Sequence, residues 1–338
     1  MKIVVTGGSG LVGTNLKSIV TEQYTNHSFT YLNRSKNDEF TLDLTDRKAV
    51  LDFFSKNEFD YIIHLAANVG GLFKNMRNNS GIFRENILMQ ENILEACNKN
   101  NIQRGIFCLS SCIFPNNPSK FPMTEKMILE SAPHFSNRGY AYAKRMLYIQ
   151  CQNYNKDFNR EYICVAPVNM YGKYDNFSLE NGHFIPAIMH RFYRDRNKKQ
   201  LIAYGTGAPL RQLLYAKDAA DIMCKLLFNQ ELTDGKDLIN IANDEEDSIK
   251  QSKTKKTKDY SLREMWQMSG DYKISCGPFA KTRKNMDSFC HNLFMSYAIS
   301  ETVSQMIEAE NEHKKAIKSI NRNLNKKTKG VVITEISN

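Results

Sequence analysis

The sequence predicts an α/β fold, a doubly wound parallel sheet with a smaller lobe built over the strand ends. Short β-branched runs alternate with segments of helical period through the first half of the chain, the signature of crossover units. Runs such as "YIIHLAA" (61–67) and "EYICVAPVN" (161–169) are almost wholly apolar, as strands covered on both faces are. A glycine cluster, "GGSGLVG" (7–13), separates the first strand-like run from the first helical one.

The elements follow in order. "KIVVT" (2–6) reads as a strand and "TNLKSIVTEQY" (14–24) as a helix with Leu16, Ile19 and Val20 on one face. "SFTYLN" (28–33) is a second strand, followed by "FTLDLTD" (40–46) and the amphipathic "RKAVLDFFSKN" (47–57). After "YIIHLAA" come a long helix around "RENILMQENILEACNKN" (84–100), the strand "GIFCLSS" (105–111), a helix from about 140 to 155 and the strand "EYICVAPVN". From residue 172 the text turns loop-rich, then helical, and a Gly/Pro turn at 205–209 precedes another amphipathic segment. The expected division is a dinucleotide-binding domain over 1–171, a substrate lobe over 172–250 that returns segments to it, and a basic region over 251–338.

Composition fits a globular protein: 338 residues, 41% hydrophobic and 24% charged. The opening apolar run is too short for a secretory leader, and no stretch approaches the roughly 20 apolar residues of a membrane span, so a soluble, cytoplasmic protein is expected. Eight cysteines are scattered without a C-x-x-C pair, which suggests neither a metal site nor a disulfide framework. The net charge of +10 is unevenly placed: residues 1–249 hold 29 Lys+Arg against 27 Asp+Glu, and residues 250–338 hold 17 against 9. That distribution argues against a nucleic-acid face on the main body and leaves the basic end as a contact for a polyanion.

Within "GGSGLVG", Gly8, Gly10 and Gly13 have G-x-G-x-x-G spacing. Glycine there permits a tight turn, close approach of the backbone to a pyrophosphate, and packing of helix on sheet, while the helix N-terminus attracts the anion. The second strand ends "NRSK" rather than in a lone acid, and Arg34, Ser35 and Lys36 suit the 2′-phosphate of NADP; the competing reading is a solvated basic turn beside Asp38 and Glu39. In "NRGYAYAKRM", Tyr140 and Lys144 stand one helical turn apart. A lysine at that spacing is expected to ease ionisation of the phenol, so that it exchanges a proton with a carbonyl oxygen.

Together these features resemble the extended short-chain dehydrogenase/reductases, and within them the branch that epimerises and reduces GDP-4-keto-6-deoxymannose to GDP-L-fucose. The likeness runs from residue 1 to about 250 and rests on "GGSGLVG", "HLAANVGGLF", "SSCIFP", "YAYAKRM", "NMYGKYDNF", "NGHFIPA" and "GTGAPLRQ". It implies a Rossmann-like fold, NADPH as cofactor, and a relay of Ser110, Tyr140 and Lys144 acting on the C4 ketone. It implies that Cys112 and His183 move the protons on C3 and C5. A thiol of ordinary pKa about 8.5 and an imidazole of about 6.5 suit those tasks, although taken singly each residue reads as a packed cysteine and a satisfied histidine.

By the same resemblance Gly7, Gly8, Ser9, Gly10, Leu11, Val12 and Gly13 hold the cofactor at one end. Lys144, Pro167, Val168, Asn169, Met170 and His183 hold it at the other. Arg191, Tyr204 and Arg211 contact the GDP-sugar, and the assembly is a homodimer through the two long helices flanking the sheet. Lys173 and Tyr174 replace the usual Pro-His before "DNF", and the basic, glycine-containing segment usual after residue 250 is not recognisable. Two other readings stay open: another nucleotide-sugar epimerase or dehydratase on this fold, and a non-catalytic NADP-binding scaffold with a basic tail.

Overall fold

The computed structural model describes residues 1–34, 40–179, 181–195, 210–242 and 247–248. Strand β1 (Lys2–Thr6) leads through the glycine turn to helix α1 (Leu11–Gln23), then β2 (Ser28–Asn33) and the short β3 (Phe40–Thr41). Helix α2 (Arg47–Lys56), β4 (Tyr61–His64), α3 (Leu72–Arg77), α4 (Asn79–Lys99) and β5 (Arg104–Cys108) follow. Helix α5 (Arg138–Phe158) returns the chain to β6 (Glu161–Pro167) and β7 (Asn169–Tyr171). Beyond these lie α6 (Phe184–Arg194), β8 (Leu210–Arg211), β9 (Leu213–Tyr215), α7 (Ala216–Phe228), β10 (Leu238–Ile241) and β11 (Asp247–Ser248).

Seven strands form one parallel sheet in the order β10-β6-β5-β4-β1-β2-β3. The chain reverses its direction of build between β1 and β4, so a crevice opens beyond the carboxyl ends of those two strands, where such sheets bind ligands. One face packs Ile3, Val5, Ile63 and Ile106 against α1 and α7; the other packs Val4, Ile62 and Phe107 against α2, α4 and α5. Both sheet faces are therefore dry, which is why the strands read as unbroken apolar runs. Of the two short sheets, β7 pairs parallel with β9, and β11 pairs antiparallel with β8. The stretch expected as one strand over 161–169 is divided at Val168: its N–H still donates to β10, at Ile241 O (3.0 Å), and from Asn169 the chain pairs with β9 instead.

Two glycines make the first turn. Gly7 has φ +74°, and a Cβ there would lie 2.8 Å from Ala66 N, at the end of β4. A Cβ on Gly13 would lie 2.4 Å from Gly7 O and 2.6 Å from Gly8 Cα, so α1 meets the turn at a separation that excludes any side chain.

The loop from Gly172 to His183 is fixed from several sides. Asn15 Nδ2 donates to Lys173 O at 3.0 Å, Gly71 N donates to Asn181 O at 3.0 Å, and His190 Nδ1 lies 2.6 Å from Phe177 O. Asp175 accepts from Asn176 N–H at 2.7 Å through Oδ1, while Oδ2 is out of contact with water and has no partner. Tyr171, Phe177, Ile185, Pro186 and Met189 surround the same small pocket, and this burial raises the Asp175 pKa from 3.8 to about 6.

Two outcomes follow from these contacts. Gly13→Ala is expected to cost about 1–3 kcal/mol, because the obstructing atoms are backbone; an unchanged denaturant midpoint would show that α1 can shift. For Asp175 the folded state holds its proton more tightly than the unfolded state, so this group lowers stability as pH rises from about 4 to about 6. Asp175→Asn, which keeps an acceptor for Asn176, should therefore raise the melting temperature at pH 7, by up to about 3 kcal/mol of stability, with the gain disappearing below about pH 4.

Candidate active site

The crevice is floored by the glycine turn. Gly10 caps α1 without any side-chain hydrogen bond, and no acidic residue stands in the first turn, so the helix offers its N-terminal amides to an anion. Gly7 N donates to Leu32 O at 2.9 Å, which ties the turn to β2. Ser9 N donates to Asn33 Oδ1 at 2.6 Å, so the last residue of β2, buried in the structure, orients the loop. With no Cβ at Gly7, Gly8 or Gly10 and an uncapped helix beyond, this cradle fits a dinucleotide pyrophosphate. Arg34 follows directly on β2; its side chain is 80% exposed and its guanidinium lies 3.8 Å from Glu85 Oε2. Ser35 and Lys36 lie outside the described residues.

The second wall comes from the end of β5. Leu109 N donates to Val165 O at 2.7 Å, and Ser110 then caps a single 3-10 turn over Ser111–Ile113, its Oγ accepting from Cys112 N at 3.3 Å. The abrupt stop of "CLSSCIFP" is thus a cap: it leaves Ser110, Ser111 and Cys112 half-buried at the crevice and turns Ile113 into the core. Facing it, α5 presents Tyr140 and Lys144, 6% and 1% exposed. Lys144 Nζ donates to Cys108 O at 2.7 Å and stands 5.9 Å from the centre of the Tyr140 ring.

Electrostatics at this wall correct the expectation drawn from the Tyr-Lys spacing. Burial holds the Tyr140 phenol well above its ordinary pKa, and the nearby thiols of Cys108 and Cys112 push in the same direction. Lys144 is itself lowered by burial, and its ammonium is engaged by the Cys108 carbonyl. Desolvation therefore outweighs the ammonium, and the phenol keeps its proton. Cys112 is raised by burial, while hydrogen bonds to Ser110 and Asn137 draw it part of the way back. His183 sits in the cap position of α6, its ring accessible to solvent but crowded by protein, and desolvation lowers its pKa. Phenol, thiol and imidazole are all uncharged at neutral pH, as a site poised to exchange protons with a ketone requires.

Further out, Pro167 is buried at the end of β6, Met170 is half-buried, and Asn169 Nδ2 donates to Gln212 O at 3.3 Å. Arg191 lies in the last turn of α6, half-buried. Arg211 belongs to β8, with its side chain outside the described residues, as is Tyr204.

Several further residues at the crevice were given no part in the chemistry by the sequence. His64 is fully buried at the end of β4, its Nδ1 2.8 Å from Thr6 Oγ1. Thr6 Oγ1 also accepts from Ala66 N at 3.2 Å. Desolvation, then the charge of Lys144, lowers the His64 pKa to about 3. Asn68 and Asn86 clasp each other: Asn68 N donates to Asn86 Oδ1 at 3.0 Å and Asn86 Nδ2 to Asn68 O at 2.9 Å. Among the described residues, no group of His, Cys, Asp and Glu could hold a metal ion, and no helix is long and apolar enough to cross a membrane.

The model of the NAD dependent epimerase/dehydratase family matches residues 3–242. Among curated proteins, the GDP-L-fucose synthase of Dictyostelium discoideum is 40% identical over 230 residues, covering 68% of this chain and 70% of its own length. The GDP-L-fucose synthase of Escherichia coli K12 is 33% identical over 221 residues, covering 65% and 67%. Among solved structures, the GDP-L-fucose synthetase of Naegleria fowleri bound to NADP superposes with a TM-score of 0.72 at 34% identity, covering 92% of this chain and 93% of the other. With the family model spanning the strands, the glycine turn and the Ser-Tyr-Lys wall alike, this chain belongs to the NAD dependent epimerase/dehydratase family.

Proposed function

We propose that the chain is an NADPH-dependent epimerase and reductase that carries GDP-4-keto-6-deoxy-D-mannose to GDP-L-fucose. The observation that carries this reading is the meeting of the β5 end with one face of α5, which sets Ser110 and Cys112 opposite Tyr140 and Lys144. The named relatives supply the substrate and the cofactor.

The chemistry has two stages. A C4 ketone acidifies the hydrogens on C3 and C5, so a base that removes one leaves an enolate, and a proton returned to the opposite face inverts the carbon. Cys112 and His183 take the parts of base and acid. The nicotinamide, when bound, supplies hydride to C4. Ser110 Oγ donates to the C4 oxygen and orients it, and Tyr140 gives its proton to the developing alkoxide. Its raised pKa keeps that proton in place until then, and Lys144 stabilises the phenolate left behind.

Arg191, Tyr204 and Arg211 hold the GDP-sugar, the residues around Gly7–Gly13 and Pro167–Met170 hold the cofactor, and residues 172–250 serve as the substrate lobe. The same reading makes the assembly a cytoplasmic homodimer through α4 and α5. Incubating the protein with NADPH and GDP-4-keto-6-deoxymannose, following absorbance and identifying the product sugar, tests it; no NADPH consumption would refute it.

Two variants separate the stages. Tyr140→Phe should lower NADPH oxidation by at least about a hundredfold, since only the proton donor is lost, with direct NADPH binding nearly unchanged. Unchanged turnover would remove Tyr140 from the mechanism. Cys112→Ser should still consume NADPH yet accumulate a GDP-6-deoxyhexose other than GDP-L-fucose, with slowed uptake of solvent deuterium at C3 and C5. Labelling at the wild-type rate would return Cys112 to a packing role.

A further inference from the structure

The carboxylate of Glu85 stands on the cofactor crevice and is more firmly held than the arginine it faces. Arg34 leaves the end of β2 with its side chain 80% exposed, whereas Glu85, on helix α4, is only one-third exposed. Glu85 Oε2, the atom 3.8 Å from the guanidinium, also accepts from Asn68 Nδ2 at 3.0 Å. Asn68 is fixed in turn by the reciprocal pair with fully buried Asn86 and by Lys74 Nζ, which donates to Asn68 Oδ1 at 2.8 Å and to Val69 O at 3.0 Å. The crevice therefore has an anchored anion beside an exposed cation.

That asymmetry bears on which dinucleotide is accepted, because the ribose at the end of β2 carries either a 2′-phosphate or a 2′-hydroxyl. A carboxylate near that position repels the phosphate, competes with it for the arginine, and offers an acceptor to the hydroxyl. An exposed pair at 3.8 Å is itself weak, so its part in ordering Arg34 is smaller than the repulsion it imposes on a nearly doubly charged phosphate. We infer that Glu85 limits the preference for NADPH over NADH, chiefly by repelling the 2′-phosphate, and further by competing with it for Arg34 and by accepting a hydrogen bond from a 2′-hydroxyl. This rests on the reading of Arg34 as the 2′-phosphate residue.

The test measures dissociation constants of NADPH and NADH on the full chain at low salt, for the unmodified protein, Glu85→Gln, Arg34→Gln and the double variant. Glutamine keeps an acceptor for Asn68 Nδ2, so the wall should stay in place. Glu85→Gln is expected to tighten NADPH about three- to tenfold and to leave NADH unchanged or weaker, with the difference shrinking as salt is raised. In the Arg34→Gln background the gain for NADPH should fall, because the contest for the guanidinium has gone. An unchanged NADPH/NADH ratio in Glu85→Gln, or a loss of NADPH affinity, would overturn the inference, the latter by making Glu85 a support for Arg34. If Arg34→Gln alone leaves NADPH binding intact, the reading of Arg34 fails and the inference with it. Should Glu85→Gln lower the melting temperature, Glu85→Asp, which keeps the charge but draws it back, must move the ratio in the same direction and by less; a ratio shifted toward NADH would overturn the inference. The same comparison with 2′,5′-ADP and AMP must reproduce the ratio without the nicotinamide end.

Discussion

Lys144 Nζ, 99% shielded from solvent and bonded to the Cys108 carbonyl, is the contact on which the site depends. An ammonium removed from water needs compensation, and the carbonyl at the end of a central strand supplies part of it. The bond also has a geometric effect. It fixes the second turn of α5 against the last residue of β5, two residues before the Ser110 cap, so the phenol on the helix and the hydroxyl on the strand end share one frame. Arg145, the next residue, repeats the device by donating from Nε to Ile113 O at 2.7 Å, on the far side of the same 3-10 turn. Two adjacent cations of one helix thus bracket the segment carrying Ser110 and Cys112.

The alternation of strands and helices was legible because both faces of the sheet are covered, which forces apolar runs that no surface strand would tolerate. The Gly7–Gly13 turn and the Tyr140/Lys144 pair were legible for a similar reason: each needs particular residue types at fixed spacing. What spacing does not convey is burial. A tyrosine and a lysine one turn apart look like a pair that eases ionisation, yet both side chains are inside, and desolvation reverses the expected shift of the phenol.

The polar residues behind the crevice were illegible for a different reason. Asn33 and Asn68 fall inside stretches the sequence singles out and Glu85 and Asn86 inside a helical run, but none of the four stands at a spacing that assigns it a task. Only the fold shows Asn86 wholly enclosed and standing in for a strand partner, satisfying the N–H and the C=O of Asn68 at once. The extent of β6 was overread because the apolar run continues past Pro167; the division at Val168 goes with the pairing of Asn169–Tyr171 to Leu213–Tyr215, more than forty residues later, and no local pattern announces it.

The loop that carries His183 is secured by Asn15 at Lys173, by Gly71 at Asn181 and by α6 at Phe177. Two of those three anchors lie more than a hundred residues upstream. Closing such distances costs chain entropy before any contact repays it, and contacts of long sequence separation form slowly. The glycine cradle, by contrast, is made by residues 1–33 with one strand added from 61–64. The anion cradle thus closes over much shorter sequence separations than the histidine loop, and is expected to form first. The order reverses on unfolding: the loop, which is not paired into the main sheet, is expected to open while the sheet beneath it persists.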